Sequence, residues 1–345
     1  MKEFEKMKRF SRQLGIYLPI LFLILTAAIT LRTVACFTEL NYATGYFDGK
    51  LCITVADWLT VSACIISFSY IFFGERRIPR TGFSGAATYI PSGAVCASLI
   101  MLSAQLLFKA KNSNSLMHEI SKLDLFPLLE TFTAILAISC TLNFFFNAFF
   151  EKKENTTRAV FGILTALFLS AYASCLYFNT ALPINAPNKI VDQMAYLFSA
   201  LFFIYETRIS LGRGKHRPYI AFGLIAAILT AYSSLPALIL YLAKGELISD
   251  SVAGAALALA LFIFITSRIL LSVFSGNDEP CDTVKIISAM ASSRILKISE
   301  HNNTSRAHED NEDNNVENSE EIGTNYEMQL PEITEKTSDT EENEE

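Results

Sequence analysis

Histidine is scarce in this chain, and what there is lies away from the apolar runs. The four histidines, His118, His216, His301 and His308, fall in expected loops or in the C-terminal region. No H-E-x-x-H sequence, no Walker sequence and no paired-carboxylate motif is present. Metal-dependent hydrolysis, nucleotide hydrolysis and general acid–base catalysis therefore find few candidate groups. The seven cysteines, Cys36, Cys52, Cys64, Cys96, Cys140, Cys175 and Cys281, contain no CxxC pair, which argues against a zinc or disulfide framework. Cys36 and Cys52 flank the first loop and are the pair best placed for a bridge. The reading adopted for all seven is of small, inert thiols in apolar surroundings. Charged residues make up only 18% of the chain, and one tryptophan stands against 27 phenylalanines.

What the chain has instead is hydrophobic length. Apolar residues make up 51% and the mean hydropathy is +0.34. A bilayer core of roughly 30 Å needs about 20 mostly apolar residues to cross as helix. Eight runs meet that need: 15–37, 51–73, 87–108, 125–150, 159–179, 190–211, 218–242 and 251–274. Lipid cannot satisfy free backbone groups, and the runs lack barrel-like alternation, so each is expected to be a helix. The fold class is all-α: a polytopic transmembrane bundle of about eight helices, readable as four helical hairpins.

Lysine and arginine alternate in density from loop to loop. One side carries 15, in the groups Lys2 to Arg12, Arg76 to Arg80, Lys152 to Arg158 and Arg208 to Arg217; the other carries seven. The denser side is expected to face the cytoplasm, which puts both termini there in a plasma-membrane protein. Residues 1–14 form a basic N-terminus. The first run is too long for an ordinary cleaved signal. Thr33-Val34-Ala35-Cys36 is a poor lipoprotein site because Thr33 and Arg32 intrude, so an uncleaved first helix is expected. Residues 275–298 include Val284, Ile287, Ala291 and Ile298 near one helical face with Lys285, Arg294 and Lys297 around it, a pattern for a short interfacial helix. Residues 276–345 hold 19 acidic and 5 basic residues. The segment 299–345 is expected to be a disordered acidic cytoplasmic tail, because it offers little apolar surface to bury.

Ionisable groups inside spans cost roughly 2.5–3.5 kcal/mol each on insertion scales and so mark candidate sites. Asp57 lies about two turns into the second run, and Glu130 follows Pro127 in the fourth. Asn143 and Asn147, four residues apart, share a helical face, where interhelical hydrogen bonding is the default expectation. These four form the candidate intramembrane polar site. Arg32 is a candidate partner for Asp57 in the same hairpin. Glu206 and Arg208 sit two residues apart on different helical faces, so each is expected to pair elsewhere or to reach the interface. Pro91, Pro127 and Pro236 are candidate kinks, although Pro127 fits a helix start. A second signal is an offset of about 60 residues between Ala171-Tyr172-Ala173-Ser174 and Ala231-Tyr232-Ser233-Ser234, repeated between Glu206-Thr207-Arg208 and Thr266-Ser267-Arg268. It points to duplicated hairpins. Gly82-Phe83-Ser84-Gly85 is similar to the G-x-S-G of rhomboid proteases, but no histidine occurs in a later run to activate Ser84. An enzyme is not expected, and neither a cofactor nor a metal is implied.

The stretch 201–236, with Phe203-Ile204-Tyr205-Glu206-Thr207-Arg208, Ser210-Leu211-Gly212-Arg213 and Tyr232-Ser233-Ser234-Leu235-Pro236, resembles uncharacterised multi-pass membrane proteins of anaerobic Gram-positive bacteria. The resemblance covers about a tenth of the chain. It implies a bacterial plasma membrane, names no activity and carries over no catalytic or binding residues. The leading expectation is a non-enzymatic structural or regulatory protein. The alternatives are a secondary transporter or channel for a small solute or ion, and a membrane sensor component. Expected partners are the bilayer, anionic lipid headgroups at the basic loops and a cytoplasmic protein for the acidic tail; nucleic acid is not among them.

Overall fold

The computed structural model describes residues 2–41, 44–49, 51–73, 86–112, 125–149, 155–179, 183, 185–211, 215–246 and 251–274. The interfacial helix expected within 275–298, the acidic tail 299–345 and Gly82-Phe83-Ser84-Gly85 lie outside these residues, as does Cys281. Among the described residues there are eight helices: α1 Lys2–Thr38, α2 Leu51–Phe73, α3 Ala86–Asn112, α4 Leu125–Phe149, α5 Asn155–Phe178, α6 Pro187–Ser210, α7 His216–Lys244 and α8 Val252–Phe274. Seven are long and apolar enough to cross a membrane. The protein is an all-α, polytopic membrane bundle.

The hydrophobic runs locate the helices closely, and three differences have local causes. The basic N-terminus is helical from Lys2 and continuous with the first apolar run, since nothing in its sequence stops a helix before Pro19. His216 is not a loop residue but the first residue of α7, and it is buried. The connection between α1 and α2 contains a two-residue antiparallel pairing, β1 (Leu40–Asn41) with β2 (Tyr46–Phe47), that hydropathy does not show. Gly45 turns that hairpin with φ 71° and donates its N–H to the Asn41 carbonyl at 2.8 Å.

α6 is the helix that the apolar criterion leaves out. Lys189, Asp192, Glu206 and Arg208 interrupt it, yet its 24 residues reach about 36 Å at ~1.5 Å per residue. Lys189, Asp192 and Glu206 are buried within the bundle while Arg208 is exposed, and α5 and α7 are the main packing neighbours of α6. α7 is the most enclosed helix of the seven apolar ones, because α1, α2, α6 and α8 all pack on it.

α1/α2, α3/α4, α5/α6 and α7/α8 pack as hairpins, and contacts between named residues give the helix directions. Lys109 near the end of α3 meets Glu130 near the start of α4, and Lys189 at the start of α6 meets the Asn179 carbonyl after α5. Lys244 at the end of α7 reaches Phe37 at the end of α1, and Arg217 at the start of α7 reaches the Phe72 carbonyl at the end of α2. The odd-numbered helices therefore run one way and the even-numbered ones the other. We call the two ends of the bundle the Arg32 end and the Arg268 end.

Three of the four hairpins close a ring. The order of packing is α3, α4, α5, α6, α7, α8 and back to α3, with α1 and α2 outside against α7. Phe144 of α4, Phe203 of α6 and Phe264 of α8 meet at the ring axis, with centroid separations of 5.6, 5.0 and 5.8 Å. These three positions are about 60 residues apart in the chain. Gly162 of α5 lies against Thr207 of α6, and Gly223 of α7 lies against Ile269 of α8, again at that offset. The offset of about 60 residues thus recurs in these packing contacts. The matching Ala-Tyr-x-Ser segments are not equivalent, however. Tyr172 faces Tyr196 across 4.9 Å, whereas Tyr232 faces away toward α1 and α2.

Candidate functional site

The polar residues suggested by sequence do not gather at one place. Glu130 is buried and its Oε1 lies 3.1 Å from the Nζ of Lys109, across the α3/α4 hairpin. Asn143 donates from Nδ2 to the Thr165 hydroxyl of α5 at 2.8 Å. Asn147 belongs to α4, but its side chain lies outside the described residues. Asp57, half-buried on α2, accepts a hydrogen bond from the Tyr232 hydroxyl at 2.6 Å. These three acceptors and donors thus work in separate helix pairs, α3/α4, α4/α5 and α2/α7.

Arg32, Glu206 and Arg208 take different roles. Arg32 sits with its guanidinium 4.2 Å from the centre of the Tyr232 ring, so Tyr232 stands between it and Asp57. Its Nη2 donates to Oδ1 of Asn188 on α6 at 2.6 Å. Glu206 faces Arg268 of α8, with Oε1 3.5 Å from Nε, and both residues are buried at 7% and 2% exposure. Arg208 is exposed and lies 5.8 Å over the ring of Tyr205, one turn earlier on its own helix.

The densest arrangement is at the Arg32 end. Besides Arg32, Tyr232, Asp57 and Asn188, it includes Asp192, one turn after Asn188 on α6, which accepts a short hydrogen bond from the Ser233 hydroxyl of α7. Lys189 is buried beside them and donates to the Asn179 carbonyl at 2.6 Å. Pro236 lacks the N–H that would otherwise reach the Tyr232 carbonyl. Two cations and two carboxylates are thus carried by α1, α2 and α6, with Tyr232 and Ser233 of α7 as partners of the two acids. In a membrane interior such groups persist when each charge or donor has a partner.

Asn188, Ser233, Lys109 and Arg268 were not among the residues singled out for a site. Their signal was available only in part. Lys189 and Asp192 break the sixth apolar run about where Asn188 lies, and Arg268 is the sole charge in the interior of the eighth. What no local pattern shows is which distant helix each one meets. Among the described residues, no group of three or more His, Cys, Asp and Glu side chains is placed to hold a metal ion. The six described cysteines, including Cys36 and Cys52, form no disulfide. Comparison with protein-family models, with curated proteins and with solved structures finds no match for this chain.

Proposed function

We propose that this protein is a non-catalytic, structural or regulatory component of a bacterial plasma membrane, crossing it eight times with both termini in the cytoplasm. The observation that carries the reading is how the intramembrane acids are used. Asp57 with Tyr232, Glu130 with Lys109, Asp192 with Ser233 and Glu206 with Arg268 are four separate interhelical pairs. Acids that carry a solute or proton would be expected to share a path. Here Asp57 and Asp192 lie at the Arg32 end while Glu130 and Glu206 stand apart from them, and each acid ties one helix to another. The excess of lysine and arginine at the Arg268 end supports the orientation, and the basic loops there suit anionic headgroups. The acidic tail is then the part presented to a cytoplasmic protein.

A carrier or channel is the second reading. Asp57 favours it, since it is half-buried and sits toward the bundle surface. The experiment that separates the two is reconstitution of the full chain in vesicles carrying pH-sensitive and potential-sensitive dyes. The structural reading expects ion flux no greater than in empty vesicles, and a lower unfolding temperature for Asp57→Asn. Flux above that of empty vesicles, abolished by Asp57→Asn at unchanged unfolding temperature, would establish the carrier instead. Thiol labelling of single cysteines placed at 345 and in the α2–α3 connection, from either side of sealed vesicles, tests the orientation.

A further inference from the structure

Three features at the start of α6 share one chemical need. First, α6 opens without a side-chain cap: the N–H of its N-cap Ala186 donates to the Pro183 carbonyl and Pro187 has no N–H, so a donor that the first turn offers is the Asn188 N–H. The first-turn N–H groups of a helix have no partner within it and carry the positive end of its dipole. Second, Asn188 is 3% exposed, and its Oδ1 is committed to Arg32. That contact fixes which end of the amide is which, and its Nδ2 is a buried donor without an acceptor. Third, Arg32 is itself 3% exposed, and among the described residues no carboxylate lies within 4.0 Å of its guanidinium. Its contacts are the Asn188 amide and Tyr232, by the ring face and the hydroxyl.

All three present N–H donors, and a negative oxygen is what each lacks. The nearby acids are otherwise engaged, Asp192 by Ser233 and Asp57 by Tyr232. Lys189 is directed to the Asn179 carbonyl. Arg32, Lys189, Asp57 and Asp192 cancel in formal charge, so a multiply charged ligand would unbalance the group and a singly charged one disturbs it least. Asn185, three residues before Asn188, is exposed, so this turn lies at the surface of the bundle.

We propose that the first turn of α6, with Asn188 and Arg32, binds a singly charged oxyanion, a carboxylate or a phosphodiester. A planar guanidinium matches two oxygens of either group, and an uncapped helix start suits both. The two sources are a small soluble acid and a phospholipid headgroup. The site does not depend on the structural reading above, because a bound lipid or anion serves a scaffold and a carrier alike.

The test uses the full chain, delipidated in a phosphate-free detergent. One arm titrates acetate against chloride at constant ionic strength. The other adds short-chain phosphatidylglycerol against the matching diacylglycerol. The readout is the unfolding temperature. A saturable rise with acetate identifies a soluble carboxylate, and one with phosphatidylglycerol alone identifies a lipid. In either case Arg32→Gln should weaken the response at least tenfold, and Arg208→Gln, at the other end, should leave it unchanged. Asn188→Asp supplies a resident carboxylate beside Arg32. It should raise the unfolding temperature without ligand and abolish the response, which keeps the test decisive if Arg32→Gln does not fold. No shift in either arm overturns the proposal, as does a response that survives both Arg32→Gln and Asn188→Asp or is lost equally in Arg208→Gln.

Discussion

Glu206 and Arg268 show how a single residue's value depends on its partner. Both are buried, 3.5 Å apart, between the inward faces of α6 and α8. Removing one charge leaves the other desolvated, whereas replacing both by apolar groups of similar volume removes the problem. Arg268→Met should therefore destabilise by about 3–5 kcal/mol, and Glu206→Leu combined with Arg268→Met should recover much of that loss. Equilibrium unfolding of the single and double variants in detergent checks this; additive losses would mean that the two residues are not coupled. Tyr232 offers a smaller effect of opposite kind. Tyr232→Phe keeps the ring beneath Arg32 and removes the hydroxyl, with its bond to Asp57 and its contact with Arg32, a loss of roughly 0.6 to 1.7 kcal/mol for each interhelical hydrogen bond. A loss as large as a core truncation would show that the hydroxyl also positions Arg32. At this scale the sequence was legible in kind but not in pairing. Glu206 stands out as a charge in an apolar run, and helical geometry correctly separates it from Arg208. Its partner lies on α8, and only the ring brings α8 to it.

At the scale of elements, hydropathy is a sum over residues that a bilayer reads in the same way, so the helices were legible almost end to end. What hydropathy could not place is the close approach between helices, which depends on single small residues. A Cβ on Gly223 would lie 2.8 Å from Cδ1 of Ile269 and 2.9 Å from Cδ2 of Phe202, so α7 meets α8 and α6 there with no room to spare. Gly162 is filled in the same way by Thr207. Small residues at such contacts let helix backbones approach in lipid, where apolar burial between helices gives little drive. Gly223→Val should destabilise by about 1–3 kcal/mol through overpacking, measured by thermal unfolding in detergent. Gly93 is the control. A Cβ there meets nothing within 4 Å, and Gly93→Ala should be neutral or slightly stabilising. Equal losses at Gly223 and Gly93 would refute the packing argument. The polar content of α6 follows from the same geometry: enclosed by α5 and α7, it can carry Asn188, Asp192 and Glu206 toward partners that a lipid-facing helix would not have.

The whole molecule divides unevenly between a ring and an arm. Each helix from α3 to α8 has a neighbour on both sides, so the ring has no open edge, and Phe144, Phe203 and Phe264 join its even-numbered helices at the axis. The α1/α2 hairpin instead leans chiefly on α7. Its polar ties among the described residues are few: Arg32 to Asn188, Asp57 to Tyr232, Lys244 to the Phe37 carbonyl and Arg217 to the Phe72 carbonyl. Helices inserted in a bilayer already have their backbone bonds satisfied, so a cut between hairpins removes connectivity without unfolding either part. A chain divided between Phe73 and Ala86 and expressed as two pieces should therefore reassemble. The piece carrying α3 to α8 should remain folded alone, with a lower unfolding temperature than the pair, because Tyr232 and Asn188 lose their partners. Substituting Arg32→Gln and Asp57→Asn together should weaken recovery of the first piece with the second in detergent, while leaving the ring's own unfolding temperature unchanged. If the α3–α8 piece instead loses its cooperative unfolding transition whenever the first hairpin is absent, the ring is not self-supporting, and α1 and α2 belong to its core rather than to its flank.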